Sequence, residues 1–131
     1  MNEKCRSEDL LDPQVQLTAF KHRAIRMTAE VASQLKVDDK KEVTGESWNE
    51  HMVTLCNAAK SHCYLILLKS FQEGVQSSPN DLKPVLKRLC DLFALIHFET
   101  NKGDFLEDGY FNQNHVRLTT KLINQILKEL R

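Results

Sequence analysis

Glycine and proline are scarce in this 131-residue chain, at four and three residues, which excludes collagen-like and low-complexity architectures. An excess of one charge is also missing, because 18 Lys plus Arg balance 18 Asp plus Glu. No overall field therefore draws nucleic acid or an anionic membrane surface. The longest apolar run, Cys63-Tyr64-Leu65-Ile66-Leu67-Leu68, falls far short of the roughly 20 residues that span a bilayer. The opening residues Met1-Asn2-Glu3-Lys4-Cys5-Arg6 carry no apolar segment of the signal-peptide kind, so a soluble, unsecreted protein is expected. Cys5, Cys56, Cys63 and Cys90 are isolated, mostly among apolar neighbours, and are read as reduced thiols that pack as small hydrophobes in a reducing compartment.

Phosphate-cradling glycine loops, GxSxG, HExxH and CxxC are all missing too, which argues against stand-alone catalysis. What remains is a chain with 41% hydrophobic and 27% charged residues, enough for one globular core at this length. Period-2 alternation is nowhere sustained, whereas spacings of three and four are common, so an all-α fold is predicted.

Residues 1–11 read as a mobile leader and 12–131 as a helical domain. Asp12-Pro13 has the signature of a helix start, a capping carboxylate before a proline in the first turn. From there Leu17, Phe20, Ala24, Met27, Val31 and Leu35 line one face, with Lys21, Arg26 and Lys36 opposite. The run Val37 to Glu42 reads as a solvated connector. A second helix is expected from between Thr44 and Ser47 to Gly74, burying Trp48, Met52, Leu55, Cys56, Ala59, Cys63, Ile66 and Leu67. Tyr64, Leu65 and Leu68 lie off that stripe. Ser78-Pro79-Asn80-Asp81 predicts a third helix, burying Leu82, Val85, Leu86, Leu89, Leu92, Phe93 and Ile96, with Leu95 and Phe98 off-stripe. Gly103 is expected to close it in the left-handed conformation, and a 10-residue irregular stretch follows. Val116, Thr119, Thr120, Ile123, Ile126, Leu127 and Leu130 mark a fourth helix, with Leu118 and Leu122 pointing elsewhere. An antiparallel four-helix bundle is the economical arrangement.

Candidate chemistry is thin. His62-Cys63 pairs an imidazole with a thiol, but adjacent helical positions diverge by about 100°, and Cys56 lies ~10 Å along the axis. A core histidine and thiol is the favoured reading, a metal or redox site the weaker one. His51, His97 and His115 sit on separate elements and read as surface or capping residues. Asp104, Glu107 and Asp108 lack the dense ligand spacing of a calcium loop and suit a helix-entry or hydrogen-bonding role. Trp48 reads as a core anchor. No residue is assigned a catalytic, cofactor-binding or metal-binding role.

A longer pattern carries more information. Ala19 to Glu30 reads AFKHRAIRMTAE, followed by Ser47-Trp48-Asn49, His62-Cys63 with Lys69 and Phe71, Leu86 with Leu89-Cys90, and Asn101-Lys102-Gly103-Asp104-Phe105-Leu106. In order and spacing this resembles the C-terminal helical domain of peroxisomal acyl-coenzyme A oxidases over roughly residues 15–130. The resemblance implies a peroxisomal FAD enzyme that converts acyl-CoA and oxygen to trans-2-enoyl-CoA and hydrogen peroxide in fatty acid β-oxidation. It implies further that a glutamate base and most flavin contacts lie in domains preceding this region. His62, Cys63, Gly103 and Asp104 then carry over as structural markers only.

The family's members commonly end in a Ser-Lys-Leu-type tripeptide, where this chain ends in Glu129-Leu130-Arg131. The expectation is a fragment that is inactive alone, supported by upstream domains and a second subunit in a homodimer. Leu65, Leu68, Leu95, Phe98, Leu118 and Leu122 would be the apolar residues that await cover. A free-standing helical interaction module, with a groove for a partner helix, is the alternative.

Overall fold

A computed structural model describes residues 7–38 and 45–131. Among these residues the structure is all helix and turn, with no strand. The elements are α1 (Ser7–Leu10), α2 (Pro13–Asp38), α3 (Gly45–Glu50), α4 (Met52–Ser77), α5 (Lys83–Thr100), α6 (Lys102–Glu107) and α7 (Gln113–Leu130). Residues 1–6, with Cys5, and the connector residues 39–44 lie outside the described residues. Two compact units result. One combines Leu68–Arg131 with the described residues up to Leu17, and the other is Thr18–Leu67.

The start of α2 follows the local chemistry of its sequence. Asp12 Oδ1 accepts from the Gln14 amide at 2.9 Å, and Pro13 occupies the first helical position, where no donor is needed. Just upstream the expectation of a mobile leader fails for residues 7–11. Ser7–Leu10 forms a helical turn that contacts α7, and Leu10 is fully buried. Its burial provides an apolar anchor that the charged composition of the leader obscured.

In the larger unit α5 and α7 pack against each other. Arg88 pairs with Glu129 at 3.2 Å and Thr120 donates to Glu99 at 3.0 Å. Advancing along α5 thus means retreating along α7, so the two helices are antiparallel. The chain reverses through α6, whose aromatic residue joins a cluster. Phe105 stacks on Phe111 at 4.5 Å between ring centres, and Phe98 meets both rings edge-on at 5.5 and 5.2 Å. All three rings are at most 2% exposed.

The left-handed glycine is Gly109, at φ 74°, rather than Gly103. Gly103 lies inside α6, so the expected irregular stretch is partly helical. Gly109 closes that helix, its amide donating to Leu106 O at 3.1 Å while the Phe111 amide reaches Phe105 O at 3.0 Å. Next, α7 opens with a reciprocal cap. Asn112 Oδ1 accepts from the His115 amide at 3.1 Å, and His115 Nδ1 accepts from the Asn112 amide at 2.9 Å. Further upstream, the expected cap at Ser78 does not form. Its hydroxyl donates back to Val75 O at 2.6 Å, and a turn from Pro79 leads into α5 at Lys83.

In the smaller unit Met27, Val31 and Ala58 form a buried cluster joined by Leu35 and Leu55. The predicted face of α2 is the buried one, with Phe20, Ala24, Met27 and Val31 all under 9% exposed.

On α4 and α5 the predicted faces are inverted. The buried residues of α4 are Ala58, Ser61, Leu68 and Val75, whereas Met52, Cys56, Ala59, Cys63, Ile66 and Leu67 are exposed. On α5, Cys90, Asp91, Ala94, Leu95 and Phe98 are buried, while Leu82, Val85, Leu89 and Ile96 are exposed. Each observed face lies roughly half a helical turn from the predicted one. Both helices are apolar nearly all round, so periodicity admits two solutions. Small or polar residues at Ala58, Ser61 and Asp91 disguised the inner one. On α7 the rotation is smaller: Thr119 and Ile126 are buried as expected, but Leu122 and His115 replace Thr120, Leu127 and Leu130.

The expectation that Leu65, Leu68, Leu95, Phe98, Leu118 and Leu122 await cover is therefore corrected. Leu68, Leu95, Phe98 and Leu122 are buried by the chain itself, and Leu65 and Leu118 are half-buried.

Candidate functional site

The most constrained polar constellation lies in the larger unit, where the entry to α2 meets the end of α4 and the first half of α5. Gln16, on the first turn of α2, is fully buried. Its Nε2 donates to Leu10 O at 2.9 Å and to Asp91 Oδ1 at 3.0 Å. The same Asp91 oxygen accepts from Lys87 Nζ one turn earlier on α5, and Lys87 Nζ also donates to Leu11 O at 2.9 Å. Gln72 of α4 completes the junction, its Nε2 donating to Pro13 O at 3.0 Å. The backbone carbonyls of residues 10, 11 and 13 are thus satisfied by side chains of α2, α5 and α4. Asp91 is 2% exposed, and a buried carboxylate is tolerable only with such partners.

Beside this junction is a cavity of about 260 Å³ lined by Pro13, Gln16, Gln72, Val75, Gln76, Lys83, Lys87 and Cys90. Burial, with the Asp91 carboxylate adding to it and Lys87 opposing, pushes the Cys90 thiol up to about 11. Cys90 is therefore protonated at neutral pH and is no nucleophile there. The arrangement fixes the backbone of residues 10–13.

The sequence reading singled out none of Gln16, Gln72, Lys87 or Asp91. One signal was present: Lys87 and Asp91 stand four apart, with the acid inside an otherwise apolar run, Leu89-Cys90-Asp91-Leu92-Phe93. An acid in such a run needs a partner on its own helix or across the core.

The residues weighed for chemistry are dispersed. His62 and Cys63 are both exposed, so neither is the core residue expected, and Cys56 is exposed as well. Cys56, Cys63 and Cys90 are free thiols. Trp48, at 46% exposed, is not a core anchor. His51 and His97 are half-buried; the His97 ring lies 4.6 Å from that of Phe93, while His115 is the buried cap of α7. Asp104 sits in the first turn of α6, and Asp108 at its end accepts from the Tyr110 amide at 3.2 Å. These are helix-terminal roles, as expected. Among the described residues no group of three or more His, Cys, Asp and Glu side chains could hold a metal, and no helix is long and apolar enough to cross a membrane.

Three of the quoted motif residues pack inside. Phe105 of Asn101–Leu106 enters the aromatic cluster, Cys90 packs under the polar junction, and Phe71 meets Phe93 at 6.0 Å.

The fold thus defines an all-α domain with a buried polar junction. A family model described as acyl-CoA oxidase matches residues 12–131. Peroxisomal acyl-coenzyme A oxidase 2 of Oryctolagus cuniculus is 35% identical over 126 residues, which cover 94% of this chain and 18% of that protein. The Rattus norvegicus protein of the same name is 33% identical over 134 residues, covering 98% and 20%. Among solved structures, an acyl-CoA oxidase from Lycopersicon esculentum (tomato) superposes with a TM-score of 0.88 at 30% identity, over 98% of this chain and 20% of that one. Arabidopsis thaliana acyl-CoA oxidase 1 gives 0.87 at 28% identity, over 98% and 19%. The chain belongs to the acyl-CoA oxidase family, matching its C-terminal-type helical domain. It spans about a fifth of the length of the relatives it matches.

Proposed function

We propose that this chain acts within a peroxisomal, FAD-dependent acyl-CoA oxidase as a helical scaffold, packing against the flavin-bearing domains and a second subunit. The whole enzyme would convert acyl-CoA and O2 to trans-2-enoyl-CoA and H2O2. The carrying observation is the family match over residues 12–131 to a domain whose buried polar junction holds the backbone of residues 10–13. Lys87 and Asp91 bind each other, and Cys90 is held protonated. The exposed apolar residues Leu82, Val85, Leu89 and Ile96 on α5 give such a scaffold surface to offer. Peroxisomal residence is proposed on the names of the relatives.

An oxygen-electrode assay with acyl-CoA and FAD tests the reading. The chain alone is expected to consume no oxygen above a protein-free control. Sustained acyl-CoA-dependent peroxide production by these residues would overturn it.

A further inference from the structure

The cavity beside the buried junction has a positive charge that nothing on its walls balances. Its lining includes two lysines, Lys83 and Lys87, and no Asp or Glu. They stand four apart on α5, one above the other on a single face. The Lys87 ammonium is neutralised by Asp91 and bonds Leu11 O as well. The Lys83 ammonium, by contrast, has no acceptor among the described residues. Lys83 is also the first residue of α5, and the first turn of that helix contains no acid, so the positive end of the helix adds to the lysine's field instead of offsetting it. One cation is left in excess at the cavity.

Burial separates the rest of the lining by depth. Val75 and Cys90 are buried and Pro13 is half-buried, which gives an apolar wall where the protonated Cys90 thiol brings no charge. Gln76 is exposed and Lys83 half-buried, so these two mark the mouth. All the lining residues belong to the larger unit, whose own atoms therefore form the walls. We propose that this cavity binds a small aliphatic monocarboxylate, its carboxylate held at the mouth by Lys83 with the Gln76 amide donating beside it, and its alkyl chain laid against Val75, Pro13 and Cys90.

Charge and volume fix the class of ligand. A single surplus cation matches a monoanion, whereas a dianion would keep one charge unmet beside an apolar wall. An uncharged alcohol would leave the ammonium unpaired. A cavity of about 260 Å³ filled at the density of a protein interior takes an alkyl chain of roughly four to eight carbons. This proposal goes beyond the scaffold role and does not rest on it.

Hexanoate is the probe, titrated into the chain while the side-chain amide resonances of Gln16, Gln72 and Gln76 are followed by NMR. Saturable shifts are expected, with a dissociation constant of about 1 mM, in keeping with a ligand of so few atoms. 1-Hexanol and inorganic phosphate should bind at least about ten times more weakly, since one lacks the charge and the other the chain. Lys83→Met, which keeps the apolar stem at a half-buried position, should weaken hexanoate at least about tenfold with an unchanged helical circular dichroism spectrum, and Lys83→Arg should retain binding. N-acetyl-leucine, standing for the carboxyl end of a polypeptide, should bind more weakly than hexanoate because its amide would enter the apolar part without a partner.

Failure of hexanoate to saturate, binding of hexanol or phosphate as tight as hexanoate, indifference to Lys83→Met, or tighter binding of N-acetyl-leucine would each overturn the proposal. None of those results would generate peroxide, so the scaffold reading stands or falls separately on the oxygen-electrode assay.

Discussion

The larger unit and the smaller unit spend similar residues differently. In the larger one, Phe98, Phe105 and Phe111 seal an aromatic cluster, and Asp91, Lys87, Gln16 and Gln72 clamp the backbone of residues 10–13. In the smaller one, Met27, Val31 and Ala58 form the buried cluster, while Ile25, Val53, Ile66 and Leu67 all stand more than half exposed. Both regions leave apolar side chains in water, the larger through Leu82, Val85, Leu89 and Ile96 of α5, but the larger also holds an aromatic cluster and a clamped polar junction. Overall hydrophobicity does not separate them; what differs is how much interior each closes.

The contrast can be broken by mutation. Phe98→Ala should have the largest effect, about 3–5 kcal/mol lost, because it removes a buried ring that contacts two others; denaturant titration checks it. Asp91→Ala should cost about 2–3 kcal/mol, below the full penalty for a broken buried pair because Lys87 is partly exposed. Met27→Ala should cost about 2 kcal/mol, at the low end for a core truncation, since its cluster is small and can collapse.

Alkaline pH acts on the larger unit through Cys90. Its folded pKa of about 11 lies above the ordinary thiol value of 9.0, so the native state holds this proton more tightly than the unfolded chain. The contribution is fully present below pH 9 and declines as pH rises toward 11. Cys90→Ala should flatten that part of the stability–pH curve. Smallest of all, Ile66→Gln should leave unfolding of the reduced monomer within about 0.5 kcal/mol of the parent, because the side chain is already 60% exposed.

Helix content, the start at Asp12-Pro13 and the buried face of α2 were legible because amphipathic spacing and capping chemistry agreed there. Orientation of α4 and α5 was not, for a physical reason: a helix apolar on two sides does not say which side its own chain covers. Asp91 made the problem worse, since a carboxylate in the centre of the buried face reads as solvent-facing until Gln16, 75 residues away in sequence, is seen to donate to it. The Leu10 anchor was hidden by charged neighbours, and Gly103 was credited with a turn that Gly109 makes. Family membership was legible from the motif string, although only some of its residues, Phe20, Ala24, Met27, Cys90 and Phe105 among them, are buried.

Amide hydrogen exchange on the reduced chain measures the contrast most directly. Amides in α5 and α7 should exchange only with global unfolding, whereas those of residues 18–38 and 52–67 should exchange at least about ten times faster through local opening. Equal protection along all four long helices would contradict the account, since it would mean that the interior of the smaller unit holds its helices as firmly as that of the larger.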